Sequence, residues 1–273
     1  ALPKLPLKTR RIICKTVVRN IPMENPFKND LDFLFDKIIT SLHNYQRLNT
    51  ILLKEIAKYE TDESIYLKKN ELVIEDWSDG DNSKWSKYFS TKISVVSRKE
   101  NYESDIRSIL SREFSFGFSQ CYESFETYLK NILIIKNSLE IKSGKEVIPH
   151  SREKLRGYDS LFKLIKKSGG SHFKKLSESN HKNFDFKILF NIHTEIRHAI
   201  THSGSILDGK KFPDNPEYSI LFNYLFPNNK LDRKKIQLDF DEPTLDRNLI
   251  ILAEFAFQIY KIFSLEENLE WEV

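Results

Sequence analysis

Apolar residues recur every three or four positions through four long stretches of the chain, which is the period of one face of an α-helix. In KNDLDFLFDKIITSLHNYQRLNTILLKEIAKYE the stripe is Leu31, Leu34, Ile38, Leu42, Tyr45, Leu48, Leu52 and Ile56, with Asp30 as its N-cap. From about residue 104 it is Ile106, Leu110, Phe114, Phe118, Cys121, Phe125, Leu129 and Ile132, with Gly117 as a point where the helix is open to breaking. FDFKILFNIHTEIRHAITH turns Phe186, Leu189, His193, Ile196 and Ile200 inward. The Ser-Gly after it supplies, at Gly204, the positive φ that a helix C-terminus favours. The last stretch opens on DEPTLDRN, where Pro243 suits a first turn, and runs through Leu245, Leu249, Leu252, Phe255, Ile259 and Phe263.

Shorter signals fill the intervals. YDSLFKLIKKSGG predicts a short helix stopped by its glycines, and RRIICKTVV a short strand in an N-terminal arm. Residues 61–100 read as polar and irregular, with WSDGDNSKW a loop. EYSILFNYLF and KKIQLDF predict one β-hairpin joined by PNNKLDR. The expectation is a mainly α protein. An antiparallel helical bundle occupies 104–273 and is most regular over about 104–265. An N-terminal accessory region with a long helix occupies 1–103, and one small hairpin is added.

Composition agrees with a packed helical fold: 40% hydrophobic and 30% charged residues, with 8 Gly and 9 Pro among 273. A net charge of +4 and a pI of about 8.8 permit nucleic-acid binding without requiring it. Cys14 and Cys121 form no CxxC pair, so neither a disulfide framework nor a zinc ribbon is expected. A reducing, cytoplasmic setting is. No continuous apolar run reaches the roughly 18–20 residues of a membrane span, and no membrane partner is expected. P-loop, GxGxxG and GxSxG patterns are missing from the sequence.

EIRHAITHSGS, residues 195–205, concentrates the candidate chemistry. His198 and His202 stand at i, i+4, a spacing that can hold zinc, but the glutamate is misplaced for HExxH and no third ligand is apparent. Neither metal nor cofactor is expected. Arg197 and His202, five apart, are about 140° apart around an ideal helix. Their groups meet only at a helix end or across two copies of the helix. A histidine moves protons and an arginine stabilises a phosphorane-like transition state, so the pair suits phosphoryl chemistry. His193, on the apolar stripe, reads as a structural core residue. His43, His150, His172 and His181 read as surface residues. The basic runs KTRRIICK, KLIKKSGGSHFKK and DRKK read equally as RNA-backbone contacts or as solvated faces.

EIRHAITHSG resembles the signature of HEPN domains: an arginine, a polar residue, and a histidine four to six residues after the arginine, near the end of a bundle helix. Here four residues intervene and the polar residue is His198, where asparagine is the commoner occupant. SQCYESFETYLKNILIIK resembles an early core helix of that bundle, and the likeness covers about 104–265. The resemblance implies an HEPN-like bundle and a metal-independent endoribonuclease, a toxin or antiviral defence effector acting as a homodimer. Antitoxin or defence-system partners are implied with it. It further implies that His202 is the general acid or base, that Arg197 stabilises the pentavalent phosphate, and that His198 orients RNA or assists proton transfer. RNA contacts are expected from Glu195, Lys166, Lys167, Lys174 and Lys175. The alternative is a catalytically inactive HEPN-like scaffold, a nucleotide- or RNA-binding partner in a toxin system.

Overall fold

The computed structural model describes residues 24–61, 68–75, 88–97, 99–144 and 157–272, together with 146 and 155. In chain order the elements are α1 (Lys28–Thr61), β1 (Lys68–Glu75), β2 (Tyr88–Ser97), α2 (Tyr102–Lys142), α3 (Tyr158–Ser168), α4 (Gly170–Glu178), α5 (Phe186–Ser203), β3 (Ile206–Asp208), α6 (Pro216–Leu225), β4 (Lys235–Gln237) and α7 (Glu242–Glu266). The protein is mainly helical, with two small antiparallel strand pairs. The expected strand RRIICKTVV, the basic run KTRRIICK, the loop WSDGDNSKW, Cys14 and His150 lie outside the described residues.

The long helices bury the stripes read from their sequences. All eight stripe positions of α2 are buried, as are all five of α5 and all six of α7. In α1, Leu31, Leu34, Ile38 and Ile56 are buried while Leu42, Tyr45, Leu48 and Leu52 are partly so. α2 runs unbroken through Gly117, where the missing side chain makes room for the Tyr45 ring of α1. A Cβ at that position would stand 2.3 Å from the Tyr45 ring of α1. Asp30 is not the N-cap of α1. The helix starts two residues earlier, and the Asp30 carboxylate accepts from Asn131 Nδ2 of α2 at 2.6 Å.

Cross-helix bonds fix the directions. The start of α1 meets the end of α7 (Asn25 Nδ2 donates to Ser264 Oγ at 2.8 Å), and its middle meets the start of α7 (Gln46 Nε2 to Asp246 Oδ2). α5 opposes α2, as the ring contacts Phe118–His193 and Phe125–Phe190 require. It opposes α7 through His193–Asn248 and Phe186–Phe255. α2 and α7 run parallel, as Tyr128 donating to the Ala256 carbonyl and Lys136 pairing with Glu267 require. α1 and α5 are each antiparallel to both. α7 is long and apolar enough by composition to cross a membrane. Here Leu245, Leu249, Leu252, Phe255, Ile259 and Phe263 are buried among the other helices, so its apolar surface builds the bundle core.

Two further expectations are corrected. Residues 61–100 are not simply irregular: β1 and β2 pair antiparallel, with a register break between Glu71 and Val73. EYSILFNYLF is not a strand but helix α6, capped by Asn215 Oδ1 accepting from Glu217 N at 2.9 Å, with Pro216 in its first turn. The second strand pair is therefore β3 with β4, and the intervening chain carries α6. The glycines after α3 do stop it, Ser168 being its last residue, and a separate helix not expected from the sequence, α4, starts at Gly170.

Gly209, in the short 3-10 turn after β3, lets two chain segments touch. Its N–H donates to the Lys234 carbonyl at 3.0 Å, and a Cβ would lie 1.7 Å from the Asp232 carbonyl oxygen. Backbone cannot swing aside as a side chain can. Gly209→Ala is expected to destabilise by about 1–3 kcal/mol, read from urea unfolding. A variant as stable as the parent would show that the β3–β4 contact opens without cost.

Candidate active site

α5 is delimited at both ends by its own sequence. Asp185 Oδ1 accepts from Ile188 N at 2.8 Å, and Gly204 closes the helix at φ 59°, ψ 40°, with Ser205 N–H donating to the Ala199 carbonyl at 3.0 Å. Arg197, His198 and His202 thus occupy the last two turns. Ile196, Ala199 and Ile200 are buried there and set the rotation of the helix about its axis. His198 and His202 consequently face outward, while Arg197 lies half-buried toward α2.

The two imidazoles stand together, their ring centroids 4.6 Å apart at 59°. Arg197 turns the other way. One Nη donates to Glu123 Oε1 of α2 at 3.2 Å, and its Nε–H is buried without an acceptor. Glu123 is mostly exposed, so this pair contributes less than about 1 kcal/mol to stability. One turn earlier, the Tyr122 and Thr194 hydroxyls bond at 2.6 Å and tie α5 to α2. Glu195 does not point free: Lys211 Nζ donates to its carboxylate at 2.7 Å.

Lys211 also bears on His198. Partial desolvation against the helix surface, then the charges of Lys211 and His202, push the His198 imidazole below its usual range, with Glu195 pulling the other way. These influences favour the neutral imidazole, the form that can accept a proton. His198 and His202 gather no third ligand-type side chain into a metal-holding group among the described residues.

His193 is the core residue its position predicts. It is fully buried, its ring 5.6 Å from that of Phe118, and Nε2 meets Asn248 Oδ1 at 3.2 Å. His172 pairs with Glu266. Of the basic runs, DRKK lies at β4, where Arg233 pairs with Asp214 at 2.8 Å.

Lys166, Lys167, Lys174 and Lys175 are exposed on α3 and α4 but stand apart from the histidines. α4 packs on the first residue of α5, through Phe173 and Phe186 rings 5.8 Å apart. His202 lies sixteen residues further on, a rise of about 24 Å. At the end of α5, His198 and His202 thus stand with Glu195 and Lys211 on one side, and Arg197 with Glu123 of α2 on another. Nothing in local spacing singles out Lys211 or Glu123, because both reach α5 through tertiary contacts. Comparison with protein-family models, with characterised proteins and with solved structures yields no match.

Proposed function

We propose that the chain is a metal-independent endoribonuclease of HEPN type, acting as a homodimer in a toxin or antiviral defence system. The observation that best supports this reading is the exposed His198–His202 pair at a helix end, with Arg197 in the same last two turns of α5. In the proposed reaction a ribose 2′-OH attacks the adjacent phosphorus and its proton passes to His198. The bond to the 5′-oxygen breaks, and His202 delivers a proton to that leaving oxygen. Arg197 offers its guanidinium to the phosphate oxygens as negative charge gathers there. Arg197 and the histidines point to different sides of one helix, and a second copy brings its own α5 to the same cleft. The products are a 2′,3′-cyclic phosphate and a 5′-OH end, and DNA, which lacks the 2′-OH, is spared.

The purified protein is expected to cut unstructured RNA in the presence of EDTA and to leave cyclic-phosphate ends. Cleavage that stops on adding EDTA, or cleavage of DNA, would falsify this chemistry. RNA binding with no cleavage of any RNA would favour the inactive scaffold.

A further inference from the structure

Residues 160–177 contain five lysines and one histidine and neither aspartate nor glutamate. The fold makes this stretch an elbow. α3 ends at Ser168, capped by Gly169, and α4 begins at Gly170, which sits at φ 48° in the left-handed region. Both glycines press against α7: a Cβ on Gly169 would lie 2.7 Å from Ile262, and one on Gly170 3.0 Å from the Glu266 carboxylate. Glu266 is occupied, accepting from the His172 backbone N–H and meeting the His172 ring at 2.6 Å. With Leu161, Ile165 and Phe173 turned inward, Lys163, Lys166, Lys167, Lys174 and Lys175 are left exposed on the outer side. None of the five forms an ion pair among the described residues.

We infer that this elbow is an RNA-backbone exosite, a lysine surface that holds the phosphates of the strand about 24 Å along α5 from His202. The inference rests on the ribonuclease reading for its ligand. Lysines with no ion-pair partner among the described residues release counterions when they meet phosphates, and this favours a polyanion. The elbow carries no exposed large apolar side chain among the described residues, so it offers nothing to insert into a bilayer and no anchor for a protein interface. At about 3.4 Å per stacked nucleotide, the distance to His202 corresponds to roughly seven nucleotides. Long RNAs engage both places at once, and short ones only the helix end.

The test uses the full chain carrying His202→Ala, so that RNA stays intact. Fluorescence anisotropy with a labelled RNA of about 20 nucleotides is compared across salt concentrations, with and without Lys166→Glu, Lys167→Glu, Lys174→Glu and Lys175→Glu together. The quadruple change is expected to weaken binding at least tenfold and to lower the log–log salt slope by about 3. Helical circular dichroism and melting temperature should be unchanged. A control carrying Lys37→Glu and Lys54→Glu on α1 should bind as the parent does, and an RNA of about four nucleotides should bind the parent and the quadruple variant alike. Undiminished binding of the long RNA by the folded quadruple variant overturns the inference. So does an equal loss on short and long RNAs. Sedimentation with phosphatidylserine vesicles that these lysines alone support, without an effect on RNA, overturns it in favour of a membrane surface. If elbow-dependent RNA binding is found but the chain with His202 intact cleaves no RNA, the exosite stands and the nuclease reading falls.

Discussion

Replacing His202 with alanine is expected to slow RNA cleavage by ~10²–10⁴-fold, the range that removing a positioned proton donor produces. Arg197→Ala should cost about 10²–10³-fold, as loss of a donor to developing oxyanion charge does. Neither change should unfold the protein. His202 is exposed in the last turn of α5, and Arg197 gives up only an ion pair with a largely exposed Glu123. Arg197→Lys should restore little, because an ammonium keeps the charge and loses the planar fork. Single-turnover cleavage alongside circular dichroism makes the measurement. If both alanine variants cut RNA at the parental rate, the end of α5 is not the active site.

The second large effect concerns stability and lies in the core. Burial pushes the His193 imidazole down to about 4, against an ordinary value of 6.5, and the hydrogen bond to Asn248 only partly opposes this. The folded protein therefore resists protonating His193 while the unfolded chain does not. The sign follows from proton counts. Above about pH 6.5 neither state carries the proton and His193 imposes no pH-dependent penalty. Between about 6.5 and 4 the unfolded state binds it preferentially, so stability is lost as the pH is lowered; below about 4 the penalty stops growing. The span corresponds to about 3 kcal/mol. Urea unfolding at pH 7, 5.5 and 4.5 should show the decline. His193→Gln, which retains a partner for Asn248 and does not titrate, should remove most of the difference from the parent slope. A parent and variant that lose stability in parallel would show that His193 is reached by solvent before unfolding.

The contrast between what local pattern revealed and what it concealed has physical causes. The stripes of α2, α5 and α7 were legible because one face of each meets the core along its whole length. α6 was not. Apolar Ile220 and Tyr224 face solvent on it while Tyr218, Leu221, Phe222 and Leu225 are buried, so apolar residues fall on both faces and the period is masked. β1 and β2 escaped notice because they do not alternate buried with exposed: Leu72, Val73 and Ile74 are all exposed, as are Ile93, Val95 and Val96. β4 pairs with a three-residue β3 upstream, too short to announce itself. At the site, Arg197, His198 and His202 are local in sequence and could be picked out together. Glu123 comes from 74 residues away, and Lys211 arrives only because the chain turns back after Gly204. The separation of the elbow lysines from the histidines is likewise a property of the folded helix, not of composition.

The Arg197–Glu123 contact has a kinetic consequence on the nuclease reading. A carboxylate already offers the guanidinium one full negative charge at rest. A phosphodiester in the ground state offers the same single charge, so exchanging one partner for the other gains little affinity. As the 2′-oxygen closes on phosphorus, the phosphoryl oxygens take on a second charge, and the exchange becomes favourable. Glu123 thereby discounts substrate binding more than it discounts the transition state, which leaves KM high and spends the arginine on kcat.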